Sequence, residues 1–132
     1  MSTVFTKIID GTIPGTFVHR DEICVVFLSI NPITTGHALV VPIAEVDHWM
    51  DLDARTRAHL FEVAHRIGEA QMQAFECDRI GLIIAGYEVP HTHLHVIPTS
   101  SMADLSFANV HNAERAELEA AGAAIRAHLA TK

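Results

Sequence analysis

The sequence predicts an α+β fold, with a five-stranded antiparallel sheet, one long helix and a C-terminal helix. Three observations lead to it. Short β-branched or aromatic runs sit close together, separated by turn residues. One long stretch between them carries apolar residues at helical spacing. Strands that come as neighbours, with helices set apart, favour an antiparallel sheet over alternating βαβ units. The chain has 132 residues and is 49% hydrophobic, enough for one domain with a core and too little for two.

Each element has its own local signal. Val4–Ile9 is apolar with one lysine, and Asp10-Gly11 and Pro14-Gly15 then break it, so a short helical turn runs into a loop. Phe17–His19 and Ile23–Leu28 flank Arg20-Asp21-Glu22, giving a strand, a tight turn and a second strand that ends at Asn31-Pro32. After Thr34-Thr35-Gly36, His37–Val41 reads as a third strand, stopped by Pro42. Asp53 is placed to cap the long helix, whose apolar stripe is Leu60, Val63, Ala64, Ile67, Ala70, Ala74 and Phe75. Gly68 interrupts that stripe at a cost of roughly 1 kcal/mol against alanine. Ile80–Ala85 reads as a fourth strand, Gly86 to Pro90 as a connection, and Thr92–Ile97 as a fifth strand closed by Pro98. Asn112 is placed to cap a last helix, with Ala116, Ala120, Ala123, Ala124, Ala127, Leu118 and Leu129 available for packing. Residues 1–132 thus form one domain, with 111–132 a C-terminal helical extension.

Composition narrows the function. Sixteen acidic against nine basic residues give a formal net charge of −7. Such a chain has no general attraction to nucleic acid or to an anionic membrane, so any phosphate it binds is held by local donors. Cys24 and Cys77 are too few for a disulfide-stapled secreted domain. The N-terminus MSTVFTKIIDG has no signal-peptide pattern, and Ile23–Leu28 is far shorter than a membrane span. The expectation is a cytoplasmic protein without nucleic-acid or membrane partners.

Ten histidines outnumber the nine lysines and arginines. Three of them alternate as His91, His93 and His95. In a strand these share one face, while Thr92, Leu94 and Val96 share the other and can pack on the long helix. Two chemistries use such a row. Zinc accepts three histidines and a water. Alternatively, a neutral imidazole attacks phosphorus while its neighbours orient it and protonate a leaving group. A chance alternation on a solvated face is the bland alternative.

The run VPHTHLHVIP resembles the His-x-His-x-His signature of the histidine triad (HIT) family. Phe5-Thr6-Lys7-Ile8-Ile9 with Ile13-Pro14 resembles the family's N-terminal segment, and Gly36-His37-Ala38-Leu39-Val40-Val41-Pro42 its GHxLVxP strand. The resemblance spans most of residues 4–98 and is closest to short bacterial members with an AGxEVPH element. It implies a homodimer that hydrolyses a bond at the α-phosphorus of a nucleotide, with no metal or other cofactor required. Carried over by position, His93 is the nucleophile that becomes a nucleotidyl-histidine, and His95 faces the phosphate and leaving group. His91 and His37 support the site. The family's nucleoside slot maps onto Phe5, Ile8, Phe27, Ile30 and Leu39, suited to a purine, and backbone N–H groups near Glu88 and Val89, with protonated histidine, would hold the phosphate.

His95 also stands where the transferase branch of the family has glutamine, which favours a hydrolase. Three positions depart from the family pattern. Ser29 replaces an acidic residue that binds ribose, Ile43-Ala44-Glu45 replaces a lysine and a histidine, and Ala85-Gly86 stands where an asparagine is common. The resemblance thus implies a nucleotide phosphoramidate or related nucleotidyl hydrolase. Its rivals are a dinucleoside polyphosphate hydrolase, a nucleotide-binding protein with little turnover, and a metal-binding protein using His91, His93 and His95. Among the remaining residues, Trp49 beside His48 is expected to anchor surface to core, and His59 and His65, on the long helix, to be solvated or at the boundary of its buried stripe. His19, His111 and His128 are expected to be structural or exposed. Cys24 is expected as a small core residue, and Cys77 is given no role.

Overall fold

A computed structural model describes residues 2–129. Its elements are α1 (Val4–Ile9), β1 (Phe17–Arg20), β2 (Cys24–Leu28), β3 (Ala38–Pro42), α2 (Ala54–Ala74), β4 (Arg79–Ile83), β5 (Leu94–Thr99) and α3 (Arg115–Leu129). The five strands make one antiparallel sheet in the order β1-β2-β3-β5-β4. Residue 1 and residues 130–132 of the expected domain lie outside the described residues. Among the described residues, no helix is long and apolar enough to cross a membrane.

Strand alternation divides the core between two faces of the sheet. Cys24, Val26 and Leu28 of β2, Ala38 and Val40 of β3, and Leu94 and Val96 of β5 point one way. They meet Leu60, Val63, Ala64, Ile67 and Ala70 of α2, with Ala121 and Ile125 of α3. Val25, Phe27, Leu39 and Val41 point the other way and meet Phe5, Ile8 and Ile9 of α1. The central strands β2 and β3 are therefore buried along their whole length, which is why they read as continuous apolar runs. Asp53 caps α2 as its sequence position predicts, its carboxylate accepting the Thr56 N–H at 2.8 Å. Trp49 packs against the larger cluster as an anchor.

Several boundaries differ from the sequence expectation, among them the end of β3, which includes Pro42 instead of stopping before it. β5 starts at Leu94, so only His95 of the three alternating histidines lies inside the strand. It also runs through Pro98 to Thr99. β3 pairs with β5 only as far as Val96, so beyond that point the missing proline N–H faces no strand, and the Pro98 carbonyl accepts the Thr34 hydroxyl instead. β4 covers Arg79–Ile83 rather than Ile80–Ala85. The last helix begins at Arg115, so Asn112 does not cap it. Its buried stripe is Ala121, Gly122 and Ile125, with Leu118 and Leu129 packed alongside, while Ala116, Ala120, Ala123 and Ala127 face solvent.

Candidate active site

Four imidazoles gather beside α1, where β3 pairs with β5. His91, His93, His37 and His95 are 0%, 1%, 1% and 5% exposed, so their ring nitrogens depend on protein partners. Those partners fix the tautomers. The Ile33 N–H donates to His37 Nδ1 at 3.0 Å, so the His37 proton sits on Nε2 and is donated to His95 Nδ1 at 2.9 Å. His95 therefore carries its own proton on Nε2, aimed at Glu88 Oε1 at 3.1 Å. Burial, and then the neighbouring His95, push His37 down to about 3, which keeps it neutral. Burial, and then His93, also lower His95, with Glu88 opposing. His95 is thus held as a neutral N–H donor.

His93 is set the opposite way. Its Nδ1–H donates to the His91 carbonyl at 2.7 Å, which leaves Nε2 as the outward nitrogen. Nε2 lies 2.8 Å from Glu88 Oε1, a contact that requires a proton between the two. Burial works against the Glu88 charge, yet hydrogen bonds from His93, its own backbone N–H and His95 hold it down to about 2. A carboxylate thus occupies the place where His93 Nε2 and His95 Nε2 converge. The sequence gives this place to a phosphate held by backbone N–H groups and protonated histidine, whereas burial keeps His37 and His95 neutral. The structure adds that the Glu88 side chain, half exposed on its loop, sits there.

His91 is locked by two partners. Its Nε2–H donates to the Pro42 carbonyl at 2.8 Å, and its Nδ1 accepts the Thr3 hydroxyl at 2.7 Å. The three alternating imidazoles consequently do not converge on one point. The atoms placed to hold a metal are instead Glu88 Oε1, His93 Nε2 and His95 Nε2. Thr3 also caps α1 by accepting the Thr6 N–H at 3.2 Å. Glu45 secures the same helix end, accepting the Thr3 N–H at 2.8 Å and the Thr6 hydroxyl at 2.7 Å. The cap holds Phe5 over the site, its ring 4.8 Å from His93 and 5.8 Å from His91. Thr3→Val should destabilise the protein by about 1–2 kcal/mol, because it removes a cap and strands a buried imidazole nitrogen. Urea denaturation reads this, and Thr3→Ser should recover most of the loss; an unchanged Thr3→Val protein would exclude the network.

Phe5, Phe27 and Leu39 form one buried apolar cluster, with Ile8, Phe17 and Val89 packed against it. Ile30 does not join them and is 63% exposed at the rim. Ser29 is half buried, and its hydroxyl accepts the Asn31 N–H at 3.2 Å.

The HIT domain model matches residues 10–102 of the chain. A zinc-bound histidine triad family protein from Mycobacterium smegmatis is 32% identical, with a TM-score of 0.85 over 99% of this chain and 95% of that one. The chain belongs to the HIT family. A hypothetical histidine triad nucleotide-binding protein from Sulfolobus tokodaii is 26% identical, with a TM-score of 0.85 over 97% of this chain and 92% of that one. Among relatives named for an activity, adenylylsulfatase HINT3 of Arabidopsis thaliana is 30% identical over 72% of this chain, which spans about half of that protein (51%). The family therefore includes nucleotide-binding hydrolases.

Within this HIT protein, sequence reasoning missed three contributors to the site. Thr3 and Glu45 act through α1 and His91. Glu45 belongs to the segment that departs from the family pattern, and only its fold position reveals its use. Phe107 lies beyond the family match, and its ring packs edge-on to His95 at 4.9 Å. No sequence signal marks Phe107, because the short turn that carries it gains its position only from the return of the chain after β5.

Proposed function

We propose that this HIT protein hydrolyses nucleotide phosphoramidates or related nucleotidyl bonds at the α-phosphorus, through a covalent nucleotidyl-His93. The carrying observation is the 2.7 Å bond from His93 Nδ1 to the His91 carbonyl, which turns Nε2 outward toward the seat shared with His95. In the first step the proton that His93 Nε2 shares with Glu88 in the resting site passes to the leaving nitrogen, Nε2 bonds to phosphorus and the bond to the leaving group breaks. In the second, water attacks phosphorus, the P–N bond to His93 breaks and the imidazole is regenerated. His95 Nε2–H donates to a phosphoryl oxygen or the leaving group, where charge develops. Phe5, Phe27 and Leu39 offer an apolar wall for a purine, with Ile8 beside them and Ile30 at the rim, and Ser29 is placed for a ribose hydroxyl. The amides of Glu88 and Val89 complete the phosphate seat.

A screen of adenosine and guanosine phosphoramidates against dinucleoside polyphosphates tests the substrate class. Rapid-quench mass spectrometry tests the intermediate, and an adduct on any residue other than His93 overturns the assignment. Glu88 supplies a separate test. Its carboxylate must leave before a phosphate enters, so Glu88→Gln should lower KM by about tenfold while leaving kcat within a few-fold. A raised KM would instead make the carboxylate part of the binding site.

A second copy of the chain would dock along β4, which ends the sheet. Beside it Phe61, Met72 and Leu82, at 41%, 44% and 44% exposure, rim an open apolar groove of about 430 Å³. A cytoplasmic location fits the two free cysteines.

A further inference from the structure

Away from the active site, four side chains of metal-ligand type meet where the β1–β2 turn lies against α2. His19 Nε2 and His59 Nε2 each lie 2.7 Å from the same oxygen, Asp21 Oδ2. Cys24 Sγ lies 3.8 Å from that oxygen. The other carboxylate oxygen, Oδ1, accepts the Ile23 and Cys24 N–H groups at 2.8 and 2.9 Å, which fixes the direction of Oδ2. The donor atoms of His19, Asp21 and Cys24 all lie within 4.8 Å of one another. Cys24 is fully buried, whereas His19, Asp21 and His59 are about a quarter exposed, so the group has a buried sulfur floor and a mouth open to water. The mouth opens into a depression of about 650 Å³ that also carries Glu22, Glu62 and Arg55. None of these residues touches the imidazole cluster or has a part in the proposed hydrolysis.

We propose that His19, Asp21, Cys24 and His59 form a second site that binds a zinc-type divalent cation and clamps the β1–β2 turn to α2. Two nitrogens, a carboxylate oxygen and a sulfur are a donor set that suits tetrahedral zinc. With metal–ligand distances of about 2.0–2.3 Å, donor atoms in such a site stand roughly 3.3–3.8 Å apart. The sulfur–oxygen separation already matches, the two imidazoles need to retreat from Oδ2 by about half an ångström, and His59, whose Nε2 lies outside the 4.8 Å group of the other three donors, must also swing in toward the ion. Each imidazole then gives its Nε2 lone pair to the metal and keeps its proton on Nδ1. The thiol binds as thiolate, and its proton passes to solvent. Without the ion, the same imidazoles donate Nε2–H to Asp21, as observed.

The test is a cobalt(II) and zinc titration of the full chain carrying Cys77→Ser, which leaves Cys24 as the only thiol. One equivalent should bind, with a near-ultraviolet sulfur-to-cobalt charge-transfer band and a higher melting temperature in zinc. Cys24→Ser should abolish the band, and His59→Ala should weaken zinc binding by about tenfold or more. His93→Ala, which removes a ligand from the other convergent set, should keep both band and affinity. The proposal is overturned by the absence of a band, or by zinc affinity that survives both Cys24→Ser and His59→Ala. It is equally overturned by binding that disappears with His93→Ala. Since His59 lies at the rim, its variant keeps the test decisive if Cys24→Ser does not fold.

Discussion

Replacing His93 by alanine is expected to lower kcat for nucleotidyl hydrolysis by about four to six orders of magnitude, with far less change in nucleotide affinity. The size of the effect follows from the tautomers. A neighbour could rescue the variant only by presenting an unprotonated nitrogen to the phosphate seat. His95 cannot, because it accepts the His37 proton on Nδ1 and must hold its own on Nε2. His91 cannot, because its two nitrogens are engaged by Thr3 and the Pro42 carbonyl. What remains is the hydrogen bond from His95 and the binding slot, which orient a substrate without attacking it. Steady-state kinetics on the best substrate of the screen measures the loss. A thermal melt separates it from unfolding, since emptying the 1%-exposed His93 position should itself cost about 2–3 kcal/mol. A His93→Ala protein with full turnover would falsify the nucleophile assignment.

The residues that were legible in the sequence are those whose signal is periodic or local. The alternation over residues 91–96 places Leu94 and Val96 toward α2 and the histidines on the opposite face, and the structure keeps that division even though β5 starts only at Leu94. His91 and His93 hold their positions through the turn from the His91 N–H to the Val89 carbonyl and the bond from the Thr92 N–H to the Val46 carbonyl. The second of these depends on a segment remote in sequence, so no window around the triad could report it. The packing face of α3 was illegible for another reason. Alanines occur all around that helix, so the hydrophobic contrast that reveals a stripe is missing, and Ala121 and Ile125 are selected by what lies beneath them. His59 is the partly exposed boundary residue the sequence predicts, and it also meets Asp21, 38 positions earlier, because α2 lies against the β1–β2 turn. Long-range polar pairs of this kind carry no periodicity at all. The Glu88 carboxylate is a related case: the motif identified the loop, and only the fold shows that its side chain reaches both reactive nitrogens.

Gly36→Ala should be the most destabilising of the small substitutions near the site, by about 3 kcal/mol, and two separate effects combine to give it. Gly36 has a φ of +88°, in the left-handed region, where a Cβ costs roughly 1–2 kcal/mol. That Cβ would also lie 2.8 Å from Phe75 Cζ and 2.9 Å from Cδ2, an overlap with a ring already packed on the core, and overpacking costs a further 1–3 kcal/mol or so. For a domain of this size the melting temperature should fall by roughly 10 °C. Gly11 supplies an internal control. It has the same φ of +88°, but nothing lies within 4 Å of its Cβ direction, so Gly11→Ala should carry the conformational cost alone. Equal losses at the two positions would mean that Phe75 is not in the way. A double-mutant cycle isolates the clash. If the ring is the obstacle, Gly36→Ala combined with Phe75→Ala should lose less than the sum of the two single changes, by the overlap energy itself. The same measurement bears on catalysis, because Gly36 leads directly into His37 and its carbonyl accepts Gln71 Nε2 at 2.9 Å. A shift of this turn moves the imidazole that sets the His95 tautomer, so kcat should fall along with stability, and relieving the clash at Phe75 should restore part of both.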